Sequence, residues 1–366
     1  MPEPSAATLA LGRAVVALEV QRAGIPAVTV PDPYDIRLTP ESRKLLRRAK
    51  DDALAAVAAR LAEIDPTGLD GGTISDAVAG LFRTDDGDGG TKESPVVVVT
   101  PAKGHADRFV VVLDFDLPCG VDSVLAVMRR SGPPAAVATE LTVRNDDYAS
   151  ITEGRLGSDY SISPPRADGW YYLATANASP WCTSSWRGIH YLAVSPTADP
   201  KRPRIMAEYS GSARLDESVA ALSAESDALR VLWSSWDELQ GDVSRPHQHT
   251  WRLRGQDLSR TAPEVLRPQD VLAEWISSDE ALAKGLVVEG AWAALGPKHK
   301  LWRRREPDAG TSIRIDGRDG VLDLDELPPH VVVELSCSAC TKFPKKVDYE
   351  VERVDRSWRL RSLSTR

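Results

Sequence analysis

The chain has 366 residues, of which 42% are hydrophobic and 27% charged, and its formal net charge is -8. These values lie in the globular range and exclude a disordered or collagen-like chain. The modest negative charge provides no field that would draw in nucleic acid or anionic lipid. A length well above one core, at roughly 150 residues per domain, predicts two or three units. No run reaches the roughly 18 apolar residues that a membrane-spanning helix needs.

At the N-terminus Glu3 comes first and Arg13 interrupts the apolar stretch from Ala6 to Leu18, so the pattern of an export signal is not met. As written, this predicts a cytoplasmic chain; a true start further upstream would instead fit a periplasmic or secreted one. The first 82 residues read as a helical segment. Its clearest part has Thr39 as a cap, Pro40 at the first helical position and Leu46, Ala49, Ala53, Val57, Leu61 and Ile64 at three-to-four spacing. A shorter helix is expected from Thr73 to Phe82. Residues 83–94, rich in Asp, Gly and Thr, read as an exposed and mobile linker.

From residue 95 to 266 the period changes to two, with Phe109, Val111, Leu113 and Phe115 on one face. Short strands separated by turn residues predict an antiparallel β-sandwich or barrel. Residues 267–366 read as a small α+β domain. It opens with a helix at Pro268, where Val271, Leu272, Trp275 and Ile276 form an apolar stripe, and it closes with strands. The fold class expected is therefore mainly β with flanking helices.

Candidate sites are few. Trp170, Trp181 and Trp186 form an aromatic-dense stretch around Cys182. They read either as a stacking platform for a ligand such as a glycan or as core tryptophans beside a disulfide. The disulfide expected is Cys119 to Cys182, which would close a loop of about 60 residues. His247 and His249 alternate on one strand face and are the one histidine pair close enough in sequence to share a divalent metal such as zinc, although no carboxylate follows them on that strand. Cys337 and Cys340 make half of a zinc knuckle with no second pair at similar spacing.

Four segments carry a resemblance: Asp114 to Gly120, Tyr160 to Pro165, Pro180 to Trp186 and Pro268 to Trp275. Over about residues 105 to 277 the chain resembles an uncharacterised family of bacterial proteins sharing the PWCTSxW and LPCG segments. The resemblance implies a shared β-rich fold and a periplasmic or secreted setting, since members of that family commonly begin with an export signal; it implies no activity. The strand pattern is also similar to small jelly-roll modules attached to secreted enzymes, an analogy of fold alone.

No nucleophile and base stand at a diagnostic spacing, and no G-x-S-x-G or phosphate-binding loop is present. The leading functional expectation is a non-catalytic binding or scaffolding protein whose partner is another protein or a glycan. The alternatives are a metal-dependent enzyme using His247 and His249, and a structural component of a larger assembly.

Overall fold

The structure, a computed structural model, describes residues 40–64, 71–85, 91–93, 95–117, 120–132, 136–144, 159–178, 186–214, 220–236, 244–261, 263–303, 311–319, 327–337 and 344–365. It is mainly antiparallel β with flanking helices. Among these residues no sheet closes on itself, which decides for the sandwich over the barrel. Two compact units are present. The first runs to Gly211 and takes in Ala224–Ser226, and the second comprises Ser212–Ser223 and the chain from Asp227 onward. The sequence expectation places its breaks at residues 83–94 and at 266/267.

In the first unit, helix α1 (Pro40–Glu63) buries Leu46, Ala49, Ala53, Val57 and Leu61, the stripe its spacing predicts. Helix α2 (Gly71–Ala79) follows, closed by a short turn of 3-10 helix at Gly80–Phe82. Both helices lie on a four-stranded meander of β3 (Val96–Pro101), β4 (Arg108–Leu117), β5 (Gly120–Ser131) and β6 (Ala136–Val143). Phe109, Val111, Leu113 and Phe115 point at the helices and share a core with them. The intervening residues Val110 and Val112 point the other way. There they meet Ile162, Tyr171, Leu173 and Val194 from a second meander, β7 (Asp159–Ile162), β8 (Leu173–Ala178), β9 (Trp186–Ser195) and β10 (Arg204–Arg214). A sheet covered on both faces accounts for the unbroken apolar runs Phe109 to Leu113 and Val124 to Met128, where a half-exposed strand would alternate.

Where a linker was expected, residues 83–85 and 91–93 are paired strands. β1 (Arg83–Asp85) pairs antiparallel with β2 (Thr91–Glu93), placing Arg83 opposite Glu93. Asp and Gly between two short extended runs are turn chemistry as much as linker chemistry, and composition alone does not separate the two.

The exposed edge of β3 is capped from α2. The Ser75 hydroxyl donates to the Val99 carbonyl at 2.9 Å and accepts from the Val99 amide at 2.8 Å, standing in for a neighbouring strand. Beneath α1, Lys50 reaches β5 and meets Asp122 at 2.6 Å, with neither side chain exposed. A further tie joins Asp51 to Arg144 at 2.5 Å and to Lys201 at 2.9 Å.

The second unit begins with a third meander, β11 (Ala221–Ala224), β12 (Ala228–Trp236), β13 (Ser244–Arg254) and β14 (Asp257–Arg260). Helices α3 (Val271–Ser277), α4 (Glu280–Gly285) and α5 (Trp292–Trp302) follow, and α3 buries Val271, Leu272, Trp275 and Ile276, the expected stripe. They cover one face of a five-stranded sheet ordered β16-β15-β17-β18-β19. Its strands are β15 (Thr311–Ile315), β16 (Arg318–Asp319), β17 (His330–Cys337), β18 (Lys346–Val354) and β19 (Ser357–Thr365). The β15–β16 turn has positive φ at both Asp316 (49°) and Gly317 (74°), the type I′ geometry that suits a two-residue hairpin.

Candidate functional site

The densest polar chemistry in the second unit comes from neighbouring strands. Register places Trp233 opposite His247, Ser235 opposite Arg245 and Val231 opposite His249, so all six share one face of the β12–β13 pair. Helix α3 brings Glu274 onto that face. Arg245 Nη2 donates to Glu274 Oε2 at 2.7 Å, His247 Nδ1 lies 3.5 Å from the same oxygen, and Arg260 Nη2 lies 3.7 Å from Oε1. On its other side the His247 ring receives Ser235, whose Oγ is 2.6 Å from Nε2. Trp233 stacks on His247 with ring centres 4.8 Å apart and meets His249 edge-on at 4.4 Å.

Electrostatics assign the charges. Burial alone would raise the Glu274 carboxyl, but its bond with His247 and the charge of Arg245 hold it well below the usual carboxylate range. His247 is lowered, first by burial and then by Arg245. In His249, burial and then the Arg260 charge push the imidazole down to about 2. The Arg260 guanidinium also donates to His249 Nε2, which fixes that nitrogen as an acceptor.

A depressed imidazole has a consequence for stability. The unfolded chain takes up a proton near its ordinary value of 6.5, while folded His249 does not until about 2. Its contribution is therefore complete above pH 6.5 and is lost as pH falls through that window. Between pH 6.5 and 5 the expected loss is about 2 kcal/mol, at 1.36 kcal/mol per unit. Guanidinium unfolding at a series of pH values should show this slope. His249→Gln, which keeps an acceptor for Arg260 but does not titrate, should flatten it; an unchanged slope would place the acid sensitivity elsewhere.

Other residues singled out by the sequence are placed differently. His247 and His249 do come together, but two guanidinium groups accompany them. Among the described residues, no group of three His, Cys, Asp or Glu is arranged to hold a metal ion. Trp170 sits in the β7–β8 hairpin with the Arg166 guanidinium 5.4 Å over its ring and the Tyr172 ring tilted beside it at 6.0 Å. Trp181, Cys119, Cys182 and Cys340 lie outside the described residues, as do the side chains of Trp186 and Cys337. The expected disulfide and most of the aromatic platform therefore lie outside the description. The residues missed from sequence are Ser235, Arg245, Arg260 and Glu274. One signal was available, because Glu274 belongs to the Pro268 to Trp275 segment that carries the resemblance, and an acidic residue inside an apolar helical stripe is a burial signal.

A second feature lies on the five-stranded sheet. The β18–β19 ladder slips between Glu350 and Val351, with Glu350 opposite Ser362 and Val351 opposite Leu360, which makes Arg361 the extra residue of a β-bulge. Arg361 lines a cavity of about 310 Å³ together with Asp316, His330, Val332 and Glu350. Val332 is 39% exposed there. The carboxylate of Asp316 accepts from the Val332 amide at 2.8 Å.

No protein family, curated protein or solved structure matches the chain.

Proposed function

We propose that the protein is a binding or scaffolding component that receives a polypeptide segment of its partner at the bulge-built cavity on the five-stranded sheet. The observation that carries this reading is the cavity wall itself. An exposed Val332 is flanked by the His330 imidazole, the Arg361 guanidinium and the carboxylates of Asp316 and Glu350. Such a wall offers apolar contact to a side chain and both donors and acceptors to a peptide backbone. Among the described residues, those that line the cavity include no Trp, Tyr or Phe, the rings that a sugar face stacks upon, and this favours protein over glycan. No helix among the described residues is long and apolar enough to cross a membrane.

Selection of random peptides displayed on phage against the immobilised full chain tests the proposal. Enrichment on the unsubstituted protein that is lost on Val332→Asp and Arg361→Glu is the expected result. Enrichment indifferent to both substitutions, or none together with specific retention on a glycan array, would overturn it.

A further inference from the structure

The buried face of the β12–β13 pair points to an activity that goes beyond binding. Ser235 Oγ stands 2.6 Å from His247 Nε2, and His247 Nδ1 faces Glu274 Oε2 at 3.5 Å. A hydroxyl, an imidazole bonded through its far nitrogen, and a carboxylate behind the near nitrogen constitute the arrangement that activates a serine. That arrangement is recognised by geometry and role rather than by fold or chain order. The carboxylate separation is longer than in a loaded site, as is common before substrate binds. We propose that Ser235 is a nucleophile, His247 its general base and Glu274 the positioning carboxylate of a site that transfers a small acyl group from an activated ester to water.

Each member is held by a separate element. Ser235 comes from β12, His247 from β13 and Glu274 from α3. The Trp233 ring lies parallel to the His247 ring, with an interplanar angle of 11°, and keeps the imidazole in the plane that reaches both partners. Arg245, at 2.7 Å from Glu274 Oε2, anchors the carboxylate and keeps it ionised. The ionised Glu274 carboxylate facing Nδ1 holds the ring proton there, which leaves Nε2 to accept from the Ser235 hydroxyl, the tautomer a general base needs. Burial holds His247 below its ordinary value, so the ring is neutral and able to accept a proton at pH 7.

In the reaction Ser235 Oγ bonds to the ester carbonyl carbon as its proton passes to His247 Nε2. The carbon to leaving-oxygen bond then breaks, and the leaving alkoxide or phenoxide takes the proton. Water next attacks the acyl-serine, giving its proton to His247 Nε2; the ester bond to Oγ breaks, Oγ takes that proton back from His247, and the carboxylic acid leaves with the serine and neutral imidazole restored. Ser235 is 6% exposed and lies on the same strand face as Trp233.

The test uses the full chain, p-nitrophenyl acetate and a small fluorophosphonate. The expected results are p-nitrophenol release above the buffer rate and one phosphonyl adduct, mapped by mass spectrometry to Ser235. Ser235→Ala should abolish both while the variant still unfolds in a cooperative transition. His247→Gln, which retains a polar group beside Ser235, should slow both about 100-fold or more, the usual worth of a general base. Glu274→Gln should leave the adduct site unchanged while shifting the pH at which labelling reaches half its maximum. Absence of an adduct on the unsubstituted protein at large probe excess would overturn the proposal, as would an adduct or turnover that persists in Ser235→Ala. Neither readout involves a peptide ligand, so this failure is distinct from failure of the binding reading.

Discussion

Replacing Asp122 by alanine is expected to cost the first unit about 3 to 5 kcal/mol of stability, because it removes the carboxylate that the Lys50 ammonium meets in a fully buried place. The pair is 2.6 Å apart with neither side chain exposed, so no water takes up the released charge. Guanidinium unfolding followed by hydrogen exchange of the α1 and β5 amides reads the effect in the unit concerned. The double variant Lys50→Met with Asp122→Leu separates a lost attraction from a stranded charge. It is expected to recover most of the loss, since apolar residues of similar volume commonly replace a buried ion pair at little cost. A cost below about 1 kcal/mol for Asp122→Ala would contradict the account.

Glu274→Leu should destabilise the second unit by a similar amount, about 3 to 5 kcal/mol. Among the described residues Glu274 faces both Arg245, at 2.7 Å, and Arg260, at 3.7 Å, and its removal takes this counter-charge from both guanidinium groups. Adding Arg245→Met should return part of the loss, and the size of that return measures the coupling between the two side chains. Independent, additive effects would mean that the ion pair does not hold α3 against β13.

Much of the fold was legible because it rests on repeating patterns. The α1 stripe from Leu46 to Leu61 and the alternation from Phe109 to Phe115 follow from helical and strand periods, and both point where those periods place them. What covers a face is not encoded locally. The Phe109 face could have met another sheet as readily as the helices it does meet, and only the unbroken run through Val110 and Val112 hinted at two covered faces. Short elements such as β11 and β14, four residues each, carry too few periods to stand out from loops. The polar cluster was half legible. His247 and His249 stood out by spacing, whereas Ser235 and Glu274 became partners only through strand register and through the packing of α3, both non-local. The cavity was hidden for the same reason, since a one-residue slip at Arg361 leaves no mark in composition.

Hydrogen–deuterium exchange of the full chain, with and without a peptide enriched by selection, tests the binding reading most directly. The account predicts slowed exchange confined to the amides around His330 to Val332, Glu350 to Val351 and Arg361, the strands that wall the cavity. Protection that falls instead on the β7–β8 hairpin around Trp170, or on no segment at all while the peptide remains bound, would contradict it.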